Sequence, residues 1–414
     1  MMIKFIKFIT NRGGVNFCLI FLLFSLSLTS SYALAVNPEE ALETLLASKS
    51  LDREQTAIYI WDIEGEMPVV DYRSQFPITP ASVMKCVSTA ELASVMPATS
   101  RITTNVYTEG TIEKNTLYGN IIVIGSGDPS LADGRHKNQP DFVTAITDAL
   151  KKKRITEVRG QIKIDDSLFE GPATHPTWST GDTDASYGTG CHAFNYEGNA
   201  SGKKAVKNPS AIFIRHLKEA MEKEGISFSE ETVSSGKRQL LLAYTSPTLG
   251  NLMRSCMFRS DNLYAETFLR LFGIQNGTDG SVAASSKVAM QHWDALNYPV
   301  ENIEIADGSG LSRSNRLTAE FLALVLLGRH NDPEYVSYFP LVGEEGTVRS
   351  FMKDTRLQGY MALKTGSMNG IQSYAGYVLD EDFVPTYVVV VMTNGLKNRD
   401  AYRAALSNFF LSLF

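Results

Sequence analysis

The chain has 414 residues, room for two domains or one large one, and its hydrophobic fraction of 43% is ordinary for a globular protein. Its 39 basic residues are outnumbered by 45 acidic ones, for a formal charge of −6, and the one basic run, residues 151–154, is short. That balance excludes nucleic acid as an expected partner, because a polyanion needs a basic surface.

At the N-terminus, Lys4, Lys7 and Arg12 precede an apolar stretch, residues 17–28, that is short for a membrane span. Ala33-Leu34-Ala35 then offers a small-x-small cleavage site. Residues 1–35 therefore read as a signal peptide, with a retained anchor as the alternative, and Val36 begins the mature chain. Cys18 has no small residue before it, which argues against a lipoprotein anchor. Removal of three positive charges takes the net charge from −6 to −9.

Residues 39–48 have helical periodicity. Residues 56–63 and a second run through Val69, Val70 and Tyr72 flank a turn and read as an antiparallel hairpin. Pro80 then opens a helix that carries Ser82 in its first turn and Lys85 at i+3, on the same face. From Arg101 the texture changes. Short Thr/Val/Ile/Tyr runs at 102–107 and 120–124, a helix at 142–152, a strand at 157–164 and a helix at 208–224 surround a polar, aromatic segment, 178–199, that reads as loop or cleft lining. Residues 240–244 begin a strand of different character. Residues 102–238 are accordingly expected to form one inserted α+β domain, with 36–101 and 239–414 forming a discontinuous catalytic domain. In that last part, 248–272 is a helix or helix pair containing Ser260-Asp261-Asn262, and 317–328 is an apolar helix. Strands follow at 360–365, 371–379 and 386–393, with 388–391 fully buried. An amphipathic helix, 401–414, is expected to pack on that sheet, since it lacks the cationic face a membrane-surface helix would carry.

Ser-x-x-Lys alone is weak, and it recurs at Ser201, Ser234 and Ser350, where a solvated surface is the ordinary reading. What distinguishes Ser82 is the ordered company of Ser260-Asp261-Asn262 and Lys364-Thr365-Gly366. A serine hydroxyl needs a base, and Lys85 serves only if neutral; burial and a second cation, Lys364, would both lower its pKa. Ser260 can relay a proton to a departing amine, and Asn262 can hold both Lys85 and a substrate amide. Lys364 and Thr365 suit a substrate carboxylate. The backbone N–H groups of Ser82 and of Ser367, next to Gly366, suit an oxyanion. The six histidines are scattered, with no H-E-x-x-H, C-x-x-C, P-loop or G-x-G-x-x-G, so neither a metal nor a cofactor is expected. The mature cysteines, Cys86, Cys191 and Cys256, are odd in number. Cys86 and Cys256 flank two of the motifs, which leaves a bridge between them open, with buried free thiols the favoured state.

These motifs resemble those of the penicilloyl-serine transferases. Gly125-Ser126-Gly127-Asp128-Pro129, Ser260-Asp261-Asn262-Leu263-Tyr264-Ala265-Glu266 and Asp307-Gly308-Ser309-Gly310-Leu311-Ser312-Arg313 narrow the resemblance to class C low-molecular-mass penicillin-binding proteins. Those are D-alanyl-D-alanine carboxypeptidases that often also act as endopeptidases. The resemblance implies an α/β fold, a transpeptidase-like antiparallel sheet flanked by helices and interrupted by an insertion. It implies an exported, periplasmic enzyme acting through an acyl-Ser82 intermediate on peptidoglycan stem peptides, with β-lactams as covalent inhibitors and no integral membrane anchor. It also implies a pocket for the zwitterionic end of a diaminopimelate side chain, with Asp182 (or its neighbour Asp184) as acidic contact, Arg313 as basic contact and Met368 as apolar wall. A serine β-lactamase is the competing enzyme reading. Its deacylating glutamate would fall in an E-x-x-L-N loop, and Trp293 stands there in Trp293-Asp294-Ala295-Leu296-Asn297. A non-catalytic wall-binding protein would not need all three motifs.

Overall fold

The computed structural model describes residues 37–137, 139–233 and 236–414; the signal peptide expected at 1–35 lies outside them. In chain order come α1 (Pro38–Leu46), β1 (Thr56–Asp62), β2 (Met67–Tyr72) and α2 (Met84–Val95). Next are β3 (Arg101–Glu113), β4 (Thr116–Ile124), α3 (Phe142–Lys152), β5 (Glu157–Gly160), β6 (Ile162–Asp165) and α4 (Thr180–Asp184). They are followed by β7 (Ala200–Ser201), β8 (Lys204–Ala205), α5 (Pro209–Lys223), β9 (Ser227–Glu230) and β10 (Arg238–Thr248). The remainder is α6 (Leu249–Arg259), α7 (Asn262–Gln275), α8 (Val282–Ala295), α9 (Ala319–Leu327), α10 (Pro333–Val336), β11 (Met361–Met368), β12 (Ile371–Leu379), β13 (Pro385–Asn394) and α11 (Arg399–Leu413).

The first sheet runs β11-β12-β13-β1-β2, all antiparallel, so strands from both ends of the chain meet in one layer. β13 explains its own sequence. Val388 and Val390 pack into one core with Val87, Phe268 and Leu322, while Val389 and Val391 pack into another with Ile58, Ile60 and Phe410. A strand covered on both faces loses the polar alternation of a surface strand. The terminal helix α11 buries Phe409 and Phe410 on the second of these faces, as its composition predicts. Among the described residues no helix is long and apolar enough to cross a membrane.

The second sheet runs β10-β3-β4-β5-β9, with β6 also paired to β4, and α3 and α5 close a separate core around Phe142, Ile146 and Phe213. Here one expectation changes. β10, expected to open the returning catalytic part, pairs with β3 from Arg238 opposite Glu109 to Thr248 opposite Arg101. β10 thereby covers the edge of β3 from Arg101 to Glu109 and satisfies its backbone groups there.

Helix starts follow their capping chemistry. α1, α3, α5, α6, α7, α8, α9 and α11 each begin behind an Asn, Asp, Thr or Ser whose side chain accepts a first-turn N–H. α2 is different, since Val83 precedes it and no side chain caps it. The sequence places Ser82 in the first α-helical turn; the structure instead puts it in a short 3-10 turn, Ala81–Val83, ahead of α2.

Candidate active site

Ala81 has φ 52, a left-handed conformation that costs an alanine about 1 kcal/mol. The kink aims Ser82 away from the body of α2 while Lys85, at the start of the helix, remains beneath it. Lys85 is fully buried, and its Nζ lies 2.9 Å from Ser82 Oγ, 2.6 Å from Asn262 Oδ1 and 2.7 Å from the Ser309 carbonyl. Burial pulls its pKa down. In the neutral amine two N–H groups satisfy Asn262 and Ser309, and the lone pair is left for the Ser82 hydroxyl.

Ser260 and Asn262 sit at a sharp break between α6 and α7. Ser260 is left-handed (φ 57), and Asp261 caps α7 by accepting the Tyr264 N–H at 3.0 Å. The two flanking side chains thereby point into one cleft. Lys364 Nζ donates to Ser260 Oγ at 2.9 Å and to the Thr365 carbonyl at 2.5 Å. Lys364 is also fully buried, and burial first, then the charge of Lys85, brings its pKa down to about 7. The sequence argument had Lys364 depressing Lys85; the structure gives burial as the cause at Lys85, and the like-charge effect is felt at Lys364.

β11 is an edge strand. Leu363 sends its N–H off that edge to the Pro340 carbonyl, and strand alternation gives Ser367 the same orientation. A Cβ on Gly366 would come within 2.6 Å of Pro80 O and 3.0 Å of Ser82 N. Only glycine lets the strand approach the turn this closely, which sets β11 against the Ser82 N–H. Thr365 Oγ1 donates to Thr347 Oγ1 at 2.8 Å.

The expected specificity residues fall as follows. Asp182 lies in α4, where it accepts from Tyr187 OH at 2.9 Å and from Ser179 Oγ at 2.7 Å. The Tyr187 carbonyl in turn accepts from Asn262 Nδ2 at 2.7 Å, which ties Asp182 to the motif. Asp184 pairs instead with Lys207 at 3.3 Å and is exposed. Arg313 is exposed and donates to the Asn369 carbonyl at 3.1 Å, next to Met368 at the end of β11. Cys86, Cys191 and Cys256 are buried free thiols, with burial raising Cys86 and Cys256 to about 12. Sequence reasoning overlooked the Ser309 and Tyr187 carbonyls, Thr347 and Arg135, whose guanidinium meets Asp261 at 2.5 Å. Backbone acceptors have no residue signature, and Arg135 lies far from Asp261 in sequence.

Ser82 over a buried lysine, a Ser-x-Asn break and a Lys-Thr-Gly edge strand together are the motif set of the penicillin-binding enzymes. The chain matches the D-Ala-D-Ala carboxypeptidase 3 (S13) family over residues 39–201 and 189–409, and belongs to it. It is 25% identical over 365 residues to carboxypeptidase DacB of Mycolicibacterium smegmatis, covering 83% of this chain and 78% of that protein. Penicillin-sensitive carboxypeptidase A of Dictyostelium discoideum is 29% identical over 184 residues, which are 42% of this chain but 35% of that one. The fold is similar to the crystal structure of penicillin binding protein 4 (dacB) from Haemophilus influenzae, with a TM-score of 0.77 at 20% identity, over 90% of this chain and 97% of that one. The same Haemophilus protein complexed with a β-lactam superposes with a TM-score of 0.69 over the same shares of the two chains.

Proposed function

We propose that the chain is a serine-type D-Ala-D-Ala carboxypeptidase of peptidoglycan stem peptides that binds penicillin and reacts through an acyl-Ser82 intermediate. The observation that carries this is the fully buried Lys85 amine between Ser82 Oγ and Asn262 Oδ1. In this mechanism the substrate's terminal carboxylate is drawn to Lys364 and Thr365. Neutral Lys85 takes the Ser82 proton as Oγ attacks the penultimate carbonyl. The Ser82 and Ser367 N–H groups receive the oxyanion. Ser260, supplied by Lys364, hands a proton to the leaving D-alanine amine, and water later attacks the ester. Asp182, Arg313 and Met368 form the pocket for a zwitterionic side chain, since one carboxylate and one guanidinium match an ammonium and a carboxylate. Asp182 is favoured over Asp184 by its link to Asn262 through Tyr187.

The catalytic unit in this reading is residues 36–101 and 239–414 around an insertion, 102–238. The reading of 1–35 as an export signal places the enzyme in the periplasm. Cleavage of D-Ala–diaminopimelate cross-links would use the same steps.

The deciding experiment is mass spectrometry of the purified protein after incubation with benzylpenicillin, with release of D-alanine from a pentapeptide measured in parallel. A lasting adduct on Ser82, and loss of both activities in Ser82→Ala, are expected. D-Alanine release that survives Ser82→Ala sinks the mechanism. Rapid penicillin turnover favours the β-lactamase reading.

A further inference from the structure

Among the motif residues that take no part in the chemistry above are Asp307 and Glu266. Asp307 is fully buried and its carboxylate receives four donors. Oδ1 accepts from the Gly310 N–H at 2.7 Å and from Asn315 Nδ2 at 2.8 Å. Oδ2 accepts from Trp178 Nε1 at 2.8 Å and from the Ser312 N–H at 2.5 Å.

The two oxygens serve different ends. Through Oδ1 the carboxylate closes the tight turn 307–310, whose Ser309 carbonyl holds Lys85 Nζ at 2.7 Å. That turn is pinned on every side. Glu266 Oε1 accepts the Ser309 N–H at 2.9 Å, and Ser88 Oγ donates to the Gly308 carbonyl at 2.9 Å. Gly310 has φ +80, and a Cβ there would lie 1.9 Å from the Ala81 carbonyl, so the turn is pressed against the kink that aims Ser82. Through Oδ2 the same carboxylate reaches the side-chain pocket. Trp178 immediately precedes Ser179, whose hydroxyl both caps α4 and contacts Asp182. Ser312 immediately precedes Arg313, and its hydroxyl meets Thr177 Oγ1 at 2.5 Å, which laces the two segments together.

We propose that Asp307 is a positioning residue that sets the base Lys85 and the zwitterion pocket together from one carboxylate. Substrate selection and base placement are then two outputs of a single buried anion. This inference rests on the roles given above to Lys85, Asp182 and Arg313. Asparagine is nearly the same shape but offers one acceptor oxygen, so in either orientation its amide N–H₂ faces two donors. Phenylalanine at 178 removes only the indole donor of the Oδ2 arm.

The test uses the whole mature protein. Two readouts are needed: the rate of acylation by benzylpenicillin, and the ratio of kcat/KM for two acyl-D-Ala-D-Ala peptides. One peptide's side chain ends in a free ammonium and carboxylate; the other's is an uncharged alkyl chain. Asp307→Asn is expected to slow acylation about tenfold or more and to lower the ratio about tenfold. Trp178→Phe is expected to lower the ratio by a similar factor, with the pH profile of acylation keeping its wild-type shape. A folded Asp307→Asn with wild-type acylation, or a wild-type ratio in Trp178→Phe, overturns the inference. If Asp307→Asn does not fold, the ratio in Trp178→Phe decides alone. A wild type that is not acylated, or that does not prefer the zwitterionic peptide, overturns the underlying reading and this inference with it.

Discussion

Lys85 and Lys364 are two buried amines close enough for the charge of one to depress the pKa of the other. In the proposed mechanism the productive form carries a single proton on the pair, placed on Lys364, with Lys85 free to act as base. kcat/KM for D-alanine release is therefore expected to be bell-shaped, its alkaline limb set by loss of the Lys364 proton and lying above about 7, because the depression by the Lys85 charge is absent once Lys85 is neutral. Lys364→Met should lower kcat/KM by roughly two to three orders of magnitude and remove that limb. Lys85→Arg keeps the charge but cannot shed it, since a guanidinium stays protonated. Acylation by labelled penicillin should fall by about a thousandfold or more, read by stopped-flow fluorescence. A third residue bears on stability. Glu91 on α2 is fully buried; Trp293 Nε1 donates to its Oε1 at 2.8 Å, its Oε2 has no partner, and burial raises its pKa to about 7. Between the ordinary carboxyl value and about 7 the folded state binds more protons than the unfolded one, so stability falls as pH rises through that window. The full effect is about 3 kcal/mol, and Glu91→Gln should flatten the slope and raise the melting temperature at pH 8. A wild-type melting temperature that rises between pH 5 and 7 while Glu91→Gln does not would reverse the sign.

At the scale of elements, the contact that matters is β11 against the turn before α2. Gly366 allows it, and an alanine there would have to push back the Pro80 carbonyl, 2.6 Å from the new Cβ. Gly366→Ala is expected to slow penicillin acylation about a hundredfold while shifting the melting temperature little, because the strand can retreat at the sheet edge. Which elements were legible follows from the strength of their periodicity. α3 is found over the same residues as expected, since Asp141 caps it and its apolar face is regular. The periodicity of 248–272 fits one helix or two; the left-handed Ser260 and the Asp261 cap make it two. α8 had no expectation at all. Its buried residues are Ser285, Ala289 and Trp293, a four-residue spacing in which only the tryptophan is strongly apolar. The pairing of β10 with β3 has no sequence signal, because strand propensity says nothing about which edge a strand joins.

Across the whole molecule, residues between the first two motifs brace the second one. Arg135, in the loop after β4, meets Asp261 at 2.5 Å with both side chains largely buried, and Tyr187 supplies the carbonyl that holds Asn262. Beside them a polar recess of about 330 Å³, walled in part by Asp133, Arg135, Arg259 and Ser260, lies between the insertion and the motif. Arg135→Met should therefore slow acylation by about tenfold although it touches none of the reacting groups, because the cap on α7 loses its ion partner. Equal acylation rates in the variant and the wild type would show that the motif stands without this brace.

The amino-acid sequence alone determined the reactive inventory: a serine with a lysine one turn on, a Ser-Asp-Asn break and a Lys-Thr-Gly strand, in an order whose chemistry is specific. It also determined most helices and strands, because capping residues and apolar period are local properties. Only the tertiary structure decided that Ser82 sits on a kinked 3-10 turn, that Ser309 offers its carbonyl to Lys85, and that Asp307 reaches both Lys85's turn and the segments carrying Asp182 and Arg313. Those features depend on backbone groups and on contacts between residues more than a hundred positions apart. Such contacts are fixed by packing and burial, and no local pattern in the chain encodes them.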